Sequence, residues 1–178
     1  MATMPRAPSS PRATQTPAAA PAHDIDALLA SADRHCMDHG LRLTSGRKAV
    51  LQALLRRGGT AKAYELLADL QSGGASVAPM AVYRSLDFLV AHDIVHKVAS
   101  NSSFVYCQHD HHRHHEPSFL ICERCGSATE WDAEGCHAVV AQALKATGFA
   151  VHGIEIQGLC AGCTQADTIK APTARGNR

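Results

Sequence analysis

Two cysteine pairs, Cys122-Glu123-Arg124-Cys125 and Cys160-Ala161-Gly162-Cys163, have the spacing at which a tight turn aims two thiolates at one metal ion. Residues 126–159 separate them, so a shared ion would close a loop of 34 residues. Four thiolates about 2.3 Å from one centre suit tetrahedral Zn²⁺, and the energy of filling such a closed site is folding energy. Gly126 and Gly162 allow the turns that these knuckles need. The same pairs could instead be redox dithiols, which requires one pair to be exposed with a low-pKa thiol.

A second set of ligand types is less ordered. His96 and Cys107 stand around a predicted β-hairpin, and His109, His111, His112, His114 and His115 crowd the segment after it. Mixed imidazole and thiolate ligands suit Zn²⁺, and a carboxylate such as Glu130 could complete four-coordination. Spacing alone does not choose among the histidines, and histidine-rich loops also bind metals loosely or lie in solvent. No Gly-rich phosphate loop, nucleophile elbow or His-Glu-x-x-His pair is present, which leaves enzyme chemistry without a foothold.

The elements that must position these groups fall into two parts. The 178 residues allow one ordinary domain or two small ones, and with aromatics at only 4% the cores must be built from Leu, Val, Ile and Ala. Seven cysteines in a chain with no secretory signal and no membrane-length apolar run favour metal or redox chemistry in the cytosol over disulfides. A net charge of +1 does not by itself suggest nucleic acid.

Residues 1–22, rich in Ala, Pro, Ser and Thr and without an acid, read as a disordered tail. From Asp24 to Gly40 the pattern is helical, with Cys36 among its core positions. Thr44 or Ser45 can cap a second helix that Gly58-Gly59 ends, and Thr60 is expected to cap a third holding Tyr64, Leu66, Leu67 and Leu70. Pro79 opens a fourth, on which Val82, Tyr83, Leu86, Leu89 and Val90 gather on one side. Arg84 points nearly opposite, with Met80, Asp87 and Ala91, while Phe88 on the flank has no evident role. Strands at Ile94–Val98 and Phe104–Cys107 then make a hairpin, so helix, turn, helix and hairpin spell a winged helix over residues 23–99, with the wing continuing to about 107.

Beyond it, Phe119–Cys122 and Ser127–Trp131 read as paired strands, Cys136–Thr147 as a helix ended by Gly148, and Phe149–Gln157 as a further strand. This is a small α+β unit over 108–165, followed by a polar flexible tail, 166–178, with no packing signal.

Arg42-Leu43-Thr44, Ala63-Tyr64-Glu65-Leu66-Leu67, Ala81-Val82-Tyr83-Arg84-Ser85-Leu86-Asp87-Phe88-Leu89, Val95-His96-Lys97-Val98, Phe119 to Gly126 and Gly158 to Cys163 together resemble the ferric uptake regulator family, over about residues 24–165. The resemblance implies an α+β protein, a winged helix-turn-helix DNA reader hinged to an α+β dimerisation domain. Such a protein acts as a metal-loaded homodimer on double-stranded operator DNA. Iron-sensing members run a His-x-His pattern into the strand before the first knuckle; Ser118 and Phe119 stand at the last two of those places here, so the sequence looks closest to the zinc uptake regulator branch.

That branch implies structural zinc at Cys122, Cys125, Cys160 and Cys163, and regulatory zinc at His96, Cys107, His115 and Glu130. Two Zn²⁺ per protomer would follow, with His114 adjoining His115 as the neighbouring register. Tyr64 and Arg84 match family positions that contact operator DNA, and Arg84 could make a bidentate contact to guanine. Zinc-dependent repression of zinc uptake genes is the implied function. The rivals are an iron or peroxide sensor of the same family, a thiol oxidoreductase and a zinc-storage protein. The last two leave the helix-turn-helix unexplained.

Overall fold

A computed structural model describes residues 22–74, 76–108, 117–131, 134–151 and 153–170. Its elements, in chain order, begin with helices α1 (Ala22–Asp38) and α2 (Ser45–Arg56), strand β1 (Thr60–Lys62), and helices α3 (Ala63–Ser72) and α4 (Pro79–Ala91). Strands β2 (Val95–Lys97), β3 (Ser103–Tyr106), β4 (Ser118–Cys122) and β5 (Ala128–Glu130) follow. The chain closes with α5 (Glu134–Leu144), a 3₁₀ turn (Lys145–Thr147), β6 (Ile154–Gly158) and α6 (Ala161–Lys170).

Helix α1 buries Leu29, Ala32 and Cys36, and burial, ahead of the nearby Asp33 charge, pushes the Cys36 thiol pKa up, as befits a core position. At α2 it is Thr44 whose side chain caps, accepting from the Arg47 N–H at 3.5 Å. Two left-handed glycines, Gly58 (φ 79°) and Gly59 (φ 83°), then turn the chain.

Thr60 does not cap the third helix. It opens β1, opposite Val105 of β3, and the cap is displaced to Lys62, whose N–H donates to the Glu65 carboxylate at 2.7 Å. The ladder with β3 satisfies backbone groups that a helix start at Thr60 would leave open.

Helix α4 begins at Pro79 and buries Val82, Leu86 and Leu89. Tyr83, expected with them, is 46% exposed: the buried stripe follows the 82-86-89 row and is too narrow to include its neighbour. Phe88 gains an explanation, because the Arg47 guanidinium of α2 lies 3.4 Å over its ring centroid and His92 packs against it at 4.5 Å. The first sheet, in the order β1-β3-β2, is antiparallel and completes a winged helix around one leucine- and valine-rich core.

The second sheet has the order β5-β4-β6, with β5 antiparallel and β6 parallel to β4. Gly148 (φ 69°) ends the helical segment as expected, although its last turn is 3₁₀; the following strand starts only at Ile154 rather than Phe149. The chain from Ala166, expected to begin a flexible tail, continues as helix to Lys170. A small apolar cluster of Val98, Val105, Phe119, Ile121 and Ala128 joins the wing to this sheet. Among the described residues no helix is long and apolar enough to cross a membrane.

Leu86 is fully buried where α4 meets the core. Leu86→Ala is expected to destabilise the winged helix by about 2–5 kcal/mol, measured by urea denaturation followed by circular dichroism.

Candidate metal centres

The first knuckle follows directly from β4 and the second from β6. Because these strands are parallel and paired through Cys122 and Gly158, their C-terminal ends lie side by side and both knuckles emerge at one end of the sheet. All four sulfurs, of Cys122, Cys125, Cys160 and Cys163, lie within 4.8 Å of one another. The Cys125 and Cys160 sulfurs are 3.8 Å apart, matching the edge of a tetrahedron whose metal–sulfur bonds are about 2.3 Å.

Further bonds tie the knuckles together. The Cys160 N–H donates to the Cys122 sulfur at 3.4 Å, and the Arg124 guanidinium donates to the Cys163 carbonyl at 2.6 Å. Hydrogen bonds from the Cys125 and then the Cys160 backbone N–H pull the Cys122 thiol down to about 6 against its burial. The Ser127 hydroxyl and N–H lower Cys125, whereas Cys163, bound by its hydrogen bond to Cys160, is pushed up to about 12. Four sulfurs this close would repel one another as thiolates, and a divalent cation is the species that would offset that repulsion.

A second group forms where the wing meets the second sheet. His96 comes from β2, Cys107 from the residue after β3 and Glu130 from the end of β5, and their ligand atoms lie within 4.8 Å of one another. His96 Nε2 and Glu130 Oε1 are 3.5 Å apart, and the other carboxylate oxygen accepts from the Gln108 N–H at 3.2 Å. All three are buried, Cys107 to 1% exposure. A carboxylate, an imidazole and a thiol withdrawn from water at this proximity form a donor set suited to a borderline-soft cation. His115, and with it the whole run from His109, lies outside the described residues.

Tyr64 and Arg84 are both exposed, on α3 and α4 respectively, with Arg84 on the face of α4 opposite Leu86. Sequence reasoning missed the polar contacts that seat the wing. The Thr60 hydroxyl donates to the Ala128 carbonyl at 2.7 Å, the Asn101 side-chain amide to the Gly126 carbonyl at 3.3 Å, and the N–H groups of Ala99 and Ser100 to the Glu155 carboxylate at 2.8 and 3.1 Å. The alternation Ile154-Glu155-Ile156-Gln157 carried a signal, since a strand so patterned has one polar face.

The sequence profile of the ferric uptake regulator family matches residues 38–158, well over half of the chain. The chain belongs to the ferric uptake regulator family. Its relatives include the zinc uptake regulation protein of Escherichia coli K12, 37% identical over 147 residues that cover 82% of this chain and 86% of that protein. The peroxide operon regulator of Bacillus subtilis is less similar, at 27% over 131 residues, covering 71% and 86%. A zinc uptake regulator solved in complex with zinc and DNA superposes with a TM-score of 0.72 at 36% identity, covering 81% of this chain and 97% of that one. Holo XcZur gives 0.67 at 39% identity, with coverage of 79% and 99%. These overlays carry the winged-helix and α+β architecture of the family across both parts of the chain.

An ion held between the knuckles would keep only three ligands once one cysteine is removed. Cys125→Ser is expected to lose one metal equivalent per chain and the cooperative unfolding of the β4–β6 unit. Metal analysis by atomic emission and thermal melts check this; unchanged metal content would exclude the tetrathiolate.

Proposed function

We propose that this family member is a zinc-sensing transcriptional repressor, which binds operator DNA as a zinc-loaded homodimer and represses zinc uptake genes in the cytoplasm. The observation that carries the proposal is the His96, Cys107 and Glu130 group, because its ligands come from two structural units. The soft thiolate of Cys107 favours Zn²⁺ over Fe²⁺, and the relatives with which the chain shares 36–39% identity are zinc regulators.

Two zinc ions per protomer are proposed. The tetrathiolate ion is structural; the second is regulatory, with His115 as its fourth ligand. Zinc bound there supplies a crosslink between the wing and the second sheet. His96 and Cys107 hold the wing side of that junction and Glu130 the sheet side, so together they restrict the angle at which α4 is presented. Fixing that angle raises the share of DNA-competent conformers, and a coupling of about 1–3 kcal/mol is typical of such linkage.

The homodimer is supported by an apolar face on the second unit. Leu120 and Ile156, register partners on β4 and β6, are exposed together on the side of the sheet away from Phe119, and Val139 and Phe149 add to the exposed apolar surface, the latter at 68%. A second copy of the chain would cover it and set two α4 helices at the spacing of successive major grooves. On α4, Arg84 would read a base edge, with Tyr64 of α3 assisting at backbone or base. A thiol oxidoreductase is disfavoured, because the low-pKa thiol, Cys122, is buried against the other three sulfurs.

Operator binding by fluorescence anisotropy against buffered free Zn²⁺ and free Fe²⁺ tests the proposal, and an operator response to Fe²⁺ alone would defeat it. Cys107→Ser and Glu130→Ala are each expected to bind one zinc fewer and to lose the zinc response while remaining dimeric. Arg84→Ala is expected to weaken operator binding by roughly 1–3 kcal/mol with zinc content intact. Equal losses on operator and random DNA would mark Arg84 as a phosphate contact instead.

A further inference from the structure

The second sheet carries a row of three side chains across its strands. Phe119 of β4 is the register partner of Glu130 on β5 and of Glu155 on β6, so all three share one face. That face meets the wing: Phe119 packs with Val98 and Val105, and its ring lies 5.9 Å from that of His96. At one end of the row Glu130 joins His96 and Cys107. At the other end Glu155 accepts from the N–H groups of Ala99 and Ser100 in the turn of the wing. Burial raises the pKa of Glu155, but the Ser100 hydroxyl and the two backbone N–H groups outweigh it and hold the carboxyl below its usual value.

The turn is shaped to offer those N–H groups. Ser102 is left-handed (φ 57°), the Asn101 side-chain oxygen accepts from the Ser103 N–H at 3.0 Å and its hydroxyl at 2.6 Å, and the Val98 N–H pairs with the Ser103 carbonyl at 2.9 Å. The hairpin ladder and the turn thus use their own partners, and the Ala99 and Ser100 N–H groups go to the neighbouring sheet. Resting on the reading of the chain as a zinc-responsive DNA binder, we propose that Glu155 is a metal-independent latch that seats the wing on the second sheet and so pre-assembles His96 and Cys107 against Glu130. Glu155 belongs to neither cluster of candidate ligands; it is a positioning residue that acts through the angle of the wing.

A latch of this kind shifts the balance between seated and unseated wing before any metal arrives, and the apparent affinity of the regulatory centre scales with the seated fraction. Its bonds to Ala99 and Ser100 are charge-assisted yet close to solvent, so the expected effect is modest. The test uses the full chain. In zinc-stripped wild type, hydrogen exchange should show the Ala99 and Ser100 amides protected, and Glu155→Ala should release them. In competition with a chromophoric chelator, the variant should bind zinc at the second centre about three- to tenfold more weakly. The tetrathiolate affinity and the zinc content at saturation should be unchanged, and saturating zinc should restore operator binding.

Glu155→Gln preserves shape and one acceptor, so it should fall between wild type and Glu155→Ala; it decides the question if the alanine variant does not fold. The latch is overturned if the two amides exchange equally fast in wild type and variant, or if they are released while second-centre zinc affinity stays within twofold of wild type. Operator binding that saturating zinc cannot restore would also overturn it. A wild-type chain with no zinc-dependent operator binding would defeat the proposed function, whereas amide exchange and chelator competition still decide the latch.

Discussion

Carboxylate, imidazole and thiol side chains that have almost no contact with water persist together only where their charges are balanced in place. Glu130, His96 and Cys107 are in that position at the junction of wing and second sheet, and most of the junction can be read as a consequence. The apolar cluster around Phe119 excludes solvent from one side, which strengthens every electrostatic interaction on the other. Pulling the wing away would return each group to water, so the balance between seated and unseated wing is set by whatever compensates them. The group lies between the two structural units rather than within one.

The legible part of this arrangement was local. Cys-x-x-Cys spacing announced the knuckles because the turn that aims two sulfurs is encoded in four residues. The core stripes of α2 and α4 followed from helical periodicity, and Pro79 and Gly148 marked boundaries because their backbone preferences are intrinsic. Thr60 was misjudged for the opposite reason: its type favours a helix cap, but the β3 edge, over forty residues away in sequence, offers a ladder instead. Phe88 looked purposeless until Arg47, on a different helix, was placed over its ring.

The candidate sites divide in the same way. The meeting of the four cysteines was readable because both pairs are compact motifs, and it needed only one loop to close. The second group was suggestive by residue type alone, since the register of β5 against β4 brings Glu130 to Phe119 and no local pattern states that register. Its choice of residues came from resemblance to the family, as did the roles given to Tyr64 and Arg84. Glu155 was marked only by the polar face of an alternating strand, and the parallel pairing of β6 is what shows which surface that face meets.

That parallel pairing has a consequence for how the protein is made. Helices α1 to α4 and the β2–β3 hairpin contact neighbours that are near in sequence or joined by one early strand, so the winged helix can fold as soon as its own residues have left the ribosome. The central strand of the second sheet must wait, because β6 and the last two thiols are synthesised well after β4 and the first two. During that interval the nascent chain displays a finished winged helix beside an unfinished second sheet. Maturation therefore has an order written into the topology, with the winged helix complete before the sheet on which its wing is seated.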